Sequence, residues 1–271
     1  MNKLIYSIVI FIGFSNNCMA DPKWIQSAEE ITIEYLQDMA SRTGYTDHIP
    51  HFRKIFENYK VRDFLEFGLG FSTKYFLDHC EKVISVEFVT NGCGPDWIKE
   101  CIKIFAGCPN WEPIAYFSDY RGDPSWSKHS FFGSDQVYKA ASFQCSHHRT
   151  YPFVDNAYMV ELDSFISSLI QKNHIDIAFV DAGVYIRGDL VQLLFNKVPV
   201  IVAHDARCRA QGEKEDVYAY YRILPPNNYE EMFIDAGNGT MVWIEKSDEL
   251  APVREALKEY IHQAKWDEGW K

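Results

Sequence analysis

Positive charge is scarce in this chain: 27 Lys and Arg stand against 38 Asp and Glu, a formal net charge of −11. No basic cluster interrupts that balance. Such a surface repels phosphate backbones and anionic headgroups, which argues against nucleic acid or a membrane surface as partner. After the N-terminus no long apolar run occurs, so nothing further along is expected to cross a bilayer. The cysteines never fall as Cys-x-x-Cys, which argues against a zinc ribbon or a thioredoxin-type redox site. Gly-Lys-Ser/Thr is missing, and with it a Walker loop. There is no internal repeat and no low-complexity tract. The 271 residues, 47% hydrophobic and 24% charged, suit one sizeable α/β core and are short for two full domains.

What is present begins with an export-like leader. Lys3 precedes Leu4–Phe14, which is apolar apart from Tyr6, Ser7 and Gly13, and Cys18-Met19-Ala20 leads into Asp21-Pro22. A positive start, a short apolar run and a small-residue exit describe a signal peptide over 1–20, cleaved after Ala20. An uncleaved N-terminal membrane anchor is the alternative. Cys80, Cys93, Cys101, Cys108, Cys145 and Cys208 would remain after cleavage. An even number in an exported chain permits disulfides, with a local bridge among Cys93, Cys101 and Cys108; six reduced thiols are the other reading.

Periodicity then sets out the elements. Trp24, Ala28, Ile31, Tyr35 and Met39 recur at helical spacing over 24–41, and a short helix is expected over 50–58. Residues 62–67 read as a buried strand running into Gly68-Leu69-Gly70, with Ser72 placed to cap a helix over 73–79. Strands follow at 82–87, 114–117, 175–180 and 198–203, with helices at 97–105, 158–172 and 189–195 between them. Strand and helix in alternation argue a parallel sheet covered on both faces. Two closing strands, 229–235 and 240–245, flank Gly237-Asn238-Gly239, a hairpin signal, and a helix over 250–264 ends the pattern. The segment 119–156 breaks the rhythm and is too long for a plain connection.

Two corners carry the chemistry. In Glu66-Phe67-Gly68-Leu69-Gly70-Phe71-Ser72-Thr73, Gly68 and Gly70 let the backbone turn and approach a ligand where a Cβ would clash. Thr73 stands where a dinucleotide fingerprint wants a third glycine, Lys74 replaces the glycine a nucleophile elbow requires, and Glu66 repels a pyrophosphate. Glu87, 21 residues after Glu66, ends the next strand, where a carboxylate can accept from both ribose hydroxyls. In the second corner Asp181 and then His204-Asp205 end two further strands and face the same crevice of a parallel sheet. His204 is a candidate general base, because its ordinary pKa suits proton removal near neutrality. Arg187 and Asp189 are read as pairing with each other or capping a helix, and metal binding by His129, His147 and His148 is a weaker alternative to exposure.

The first corner resembles the class I S-adenosylmethionine (SAM) methyltransferases, whose first motif is an acidic residue before a Gly-x-Gly turn and whose second is an acidic residue closing the next strand. The resemblance spans roughly 60–245 and implies a Rossmann-like α/β fold with a mostly parallel seven-stranded sheet and a C-terminal antiparallel hairpin. It implies SAM as cofactor, held by Glu66, Gly68, Gly70, Ser72 and Glu87, with Asp119 near the adenine. The second corner is similar to the catechol-type and macrocin-type O-methyltransferases, where an Asp after each of these strands helps hold a divalent metal. Asp181 and Asp205 match, which implies a magnesium site; Ala206 departs from the Asn ligand expected next. The expectation is O-methylation of a small molecule or sugar by Asp181, His204 and Asp205, in a methyltransferase-like domain over 59–271 behind a helical segment over 21–58. An exported binding protein that kept the fold without turnover is the alternative.

Overall fold

The computed structural model describes residues 25–89, 95–117, 137–139, 156–182, 186–212 and 218–263. The leader, Asp119, Cys93, Cys145, His129, His147 and His148 lie outside the described residues, as does most of the 119–156 segment.

The strands β1 (Asp63–Phe67), β2 (Lys82–Val89), β3 (Trp111–Phe117), β4 (Val137–Lys139), β5 (Ile175–Val180), β6 (Val200–His204), β7 (Tyr229–Ile234) and β8 (Thr240–Glu245) form one sheet. Their order is β4-β3-β2-β1-β5-β6-β8-β7, eight strands where seven were expected. The addition is β4, a three-residue strand from the long insertion that pairs in parallel with the end of β3. Pairing is parallel from β4 through to β6; the β6–β8 and β8–β7 pairings are antiparallel, so β8 alone runs against the rest. Consecutive parallel strands need crossovers, and helices supply them.

The helices are α1 (Ile33–Thr43), α2 (Ile49–Phe56), α3 (Thr73–His79), α4 (Asp96–Phe105), α5 (Asn156–Lys172), α6 (Arg187–Leu194), α7 (Arg207–Ala210) and α8 (Ala251–Gln263). The long first helix read from the sequence is two pieces. A 3₁₀ turn at Ala28–Glu30 ends, and Thr32 restarts the chain as an N-cap whose hydroxyl accepts from the Tyr35 amide at 3.2 Å. Gly44, at φ 75°, closes α1 in the left-handed conformation.

Strand alternation sends side chains to two separate cores. On one face Phe64, Val83 and Phe179 meet α1–α4 and α8 through residues such as Leu36, Phe52, Phe76, Ile98 and Leu257. On the other, Leu65, Ile84 and Val180 meet α5 and α6 through Leu162, Phe165, Ile166, Leu190 and Leu194. Each such side chain, fully buried, contributes about 1.5–3 kcal/mol, so both layers hold the strand ends in fixed register. Phe52 of α2 sits among Phe64, Phe76 and Phe179 at ring separations of 5.5, 4.8 and 4.9 Å, which fixes the turn just ahead of α2 against the sheet. Among the described residues no helix is long and apolar enough to cross a membrane. Cys80, Cys101 and Cys108 are free thiols, so the local bridge does not join Cys101 to Cys108.

Candidate functional site

The carboxyl ends of β1, β2, β5 and β6 lie side by side, and each delivers an ionisable side chain. Glu66 is paired in register with Ser85, and Ser85 and Glu87 lie two residues apart, so all three project from one face. Glu66 is fully buried. Its Oε1 accepts from the Thr73 hydroxyl at 2.8 Å and from the Ser85 hydroxyl, while Ser85 in turn accepts from the Trp111 indole at 2.8 Å. Its Oε2 meets no hydrogen-bonding partner among the described residues. Burial pushes the Glu66 carboxyl up to about 8, against the pull of the Ser85 and Thr73 hydroxyls. Burial also pushes Glu87 up to about 8, although its Oε2 accepts from the Leu69 amide at 3.2 Å.

The two glycines serve different ends. Gly68 has φ 91°, and a Cβ there would lie 2.5 Å from the Asp181 carbonyl, so this glycine lets the turn pack onto the end of β5 rather than onto a ligand. At Gly70 a Cβ would meet nothing within 4 Å among the described residues. Ser72 does not cap α3: it is already helical and makes no side-chain cap bond. Thr73 ties the turn to Glu66 instead: its hydroxyl accepts from the Gly70 amide at 3.1 Å while donating to Glu66. The Trp97 indole donates to the Leu69 carbonyl at 2.7 Å and its ring meets Phe71 edge-on at 5.6 Å, so α4 braces the turn.

The second corner is organised around Arg187. Its Nη1 lies 2.8 Å from Asp181 Oδ1 and 3.0 Å from Asp205 Oδ2, and its Nε donates to the Ala182 carbonyl at 2.7 Å. The guanidinium carbon stands 4.0 Å over the Tyr218 ring. Asp205 reaches it because the chain turns sharply after β6, at φ 55°, a left-handed conformation that Asp tolerates. Arg187 therefore does not pair with Asp189, which faces Arg222 at 3.3 Å instead. His204 lies beneath, 2% exposed. Its Nδ1 faces Asp181 Oδ1 at 3.3 Å, and its Nε2 is bonded to Asp47 Oδ1.

Charge follows from this packing. Burial opposes a charge on His204, but Asp181, Asp205 and the bonds to Asp181 and Asp47 outweigh it and hold its pKa well above the ordinary histidine value. Burial would raise Asp181 and Asp205, yet Arg187 and His204 bring both below the usual carboxylate range. The corner thus presents two ionised carboxylates, with side chains 22% and 26% exposed, over a buried cationic layer. His204, with both ring nitrogens against carboxylates, is not placed as a free general base. A divalent ion between Asp181 and Asp205 would stand against the guanidinium that already bridges them, so the arrangement does not fit the implied magnesium site.

The two corners adjoin at the strand ends. The Asp181 amide donates to the Phe67 carbonyl at 2.9 Å, next to the Gly68 turn. Sequence reasoning missed Asp47, Thr73, Ser85 and Trp97. Thr73 alone carried a local signal, since a hydroxyl beside a glycine turn is a natural partner for a buried carboxylate.

A mostly parallel sheet that closes on an antiparallel hairpin, with an acid-Gly-x-Gly turn after β1 and an acid toward the end of β2, is a Rossmann-like α/β fold of the arrangement that the resemblance to class I SAM methyltransferases implies. No protein-family model matches the chain, and no curated protein matches it. Among solved structures it is similar to an O-methyltransferase from Bacillus cereus in complex with S-adenosylhomocysteine, at 14% identity, covering 84% of this chain and 94% of that one with a TM-score of 0.42. It is similar to a methyltransferase of Podospora anserina, also bound to S-adenosylhomocysteine, at 10% identity, covering 80% and 88%, TM-score 0.42. An N-methyltransferase from Bradyrhizobium japonicum matches at 11% identity over 79% of this chain and 98% of its own, TM-score 0.35.

Proposed function

We propose that this protein is an exported SAM-dependent methyltransferase that methylates a hydroxyl of a small molecule or sugar. The observation that carries the reading is the pair Glu66 and Glu87, on one face beside a glycine turn at which Gly70 has no described residue within 4 Å of a Cβ position. Bound there, SAM would supply an electrophilic methyl group on sulfur. Glu66 keeps one oxygen without a partner among the described residues, a buried group suited to a cationic amino group. Glu87, two residues before the end of β2, suits the ribose hydroxyls. Both carboxyls are largely protonated at neutral pH without a ligand, so a cation beside Glu66 would release a proton on binding.

On the acceptor side Asp181 and Asp205 offer their exposed carboxylate edges to a hydroxyl, and Arg187 holds the two edges in place. Positioning in line with the methyl donor is the larger part of what such a site contributes. No step is assigned to a metal, because Arg187 fills the space between the two carboxylates. His204 acts through Asp181, as a buried cation that fixes its orientation.

A specific observation also favours the non-catalytic reading: among the described residues of this corner, Asp181, Asp205 and Asp47 are already paired by Arg187 and His204. SAM is made in the cytosol, so an exported chain would meet it after delivery into another cell. Incubation of the purified chain with methyl-labelled SAM and a panel of hydroxylated small molecules and sugars separates the two readings. Label on an acceptor, lost in Asp205→Asn, supports the enzyme; SAM binding without any transfer supports the binding protein.

A further inference from the structure

We propose that Asp47, His48 and His204 form a buried site for a borderline divalent metal ion of the zinc type, which ties the turn ahead of α2 to the end of β6. One ligand atom from each of the three lies within 4.8 Å of the others, a spacing that a single ion can draw together. All three residues are buried, at 0%, 0% and 2% exposure. The site shares His204 with the Asp181–Asp205 corner, and its other two ligands, Asp47 and His48, lie outside the 60–245 span of the methyltransferase resemblance.

His48 is the observation that points to a ligand. Neither of its ring nitrogens meets solvent or any hydrogen-bonding partner among the described residues. Its ring packs 4.6 Å from Phe179 and 4.8 Å from His204. An imidazole has one donor and one acceptor to satisfy, and burying both unpaired costs several kcal/mol that an aromatic pocket does not return. A metal ion satisfies one nitrogen directly. Two imidazoles and a carboxylate make a donor set for zinc and its neighbours, and a poor one for magnesium, which prefers an all-oxygen shell.

The surroundings are those of a metal ligand sphere. His204 turns its Nδ1 to Asp181 Oδ1 at 3.3 Å; without metal its Nε2 shares a proton with Asp47, and an ion bound between the two would replace that proton, with the Asp181 carboxylate supporting the far nitrogen. Asp47 is held by its second oxygen, which accepts from the Asn238 amide at 2.7 Å. The hairpin turn closes over it so tightly that a Cβ on Gly237 would lie 1.8 Å from Asp47 Oδ2. Three ligands fixed by two distant parts of the chain make the ion a staple between the N-terminal helices and the sheet.

The test uses the purified full chain, prepared without chelator. Elemental analysis should find about one zinc per chain, and stripping followed by Zn²⁺ at about 100 times Kd should raise Tm by roughly 5–10 °C. Cobalt in place of zinc should give d–d bands without a thiolate charge-transfer band. His48→Phe, which keeps an aromatic ring in the pocket, should lose the metal and the Tm response; should it fail to fold, the wild-type measurements decide alone. A chain without metal, whose Tm moves with neither Zn²⁺ nor EDTA, would overturn the proposal. So would a thiolate band on cobalt, which would put the ion at cysteines.

Discussion

Replacing Glu66 by Gln tests the electrostatics of the cofactor corner without removing its hydrogen bonds. The amide oxygen of Gln can accept from the Thr73 and Ser85 hydroxyls as Glu66 Oε1 does. What changes is the proton. Burial lifts the Glu66 carboxyl from 4.5 to about 8, so between those values the folded chain holds a proton that the unfolded chain has released. Stability contributed by that proton is complete below the unfolded value and is lost as pH rises through the folded one. Each pH unit in that window costs about 1.4 kcal/mol for one such group. Glu87 behaves alike, so the wild type should lose stability twice as steeply as Glu66→Gln from this pair. Urea unfolding at pH 5.5, 6.5 and 7.5 should show the variant gaining on the wild type by about 1.4 kcal/mol per unit, or roughly 3 kcal/mol across the range. Parallel curves for the two proteins would refute the reasoning, since Glu66 would then be ionised in the fold or titrating as it does in the open chain.

Other outcomes follow from the same geometry. Gly68→Ala, forced to φ 91° with its Cβ 2.5 Å from the Asp181 carbonyl, should cost at least about 2 kcal/mol in urea unfolding. Gly70→Ala should change stability by less than about 1 kcal/mol and weaken S-adenosylhomocysteine binding more than tenfold, because its new methyl group enters the space proposed for the ligand, where no described residue lies within 4 Å. Arg187→Met, which leaves Asp181 and Asp205 facing each other uncompensated, should destabilise by about 3–5 kcal/mol, part of which Asp205→Asn in the same chain restores. Millimolar Mg²⁺ should leave the melting temperature of the wild type unmoved, whereas a rise would show that magnesium displaces Arg187.

The parts of this molecule that were legible in the sequence are those written in local pattern. Residues 62–67 and 82–87 announced β1 and β2 through apolar runs, and the glycine turn with Glu66 and Glu87 marked the crevice. The Gly237-Asn238-Gly239 turn announced the hairpin of β7 and β8. What stayed hidden depends on long-range packing. β3 begins at Trp111, ahead of the predicted start, because pairing with Val83–Val89 carries it through Pro113. β4 is three residues that become a strand by joining the edge of β3. Arg187 was visible as a charge, but its partners end two other strands. His204 was read as a base because Asp47, 157 residues away, gave no hint that it occupies Nε2. Ser72 satisfied the rule for a cap, yet the neighbouring Thr73 had the geometry to reach both Glu66 and the turn.

Calorimetric titration of the purified protein with S-adenosylhomocysteine tests the central claim. Saturable binding at one site, abolished in Glu87→Ala and accompanied by proton release at pH 7, is the result predicted. Absence of heat at millimolar ligand, from a chain that unfolds cooperatively, would contradict it.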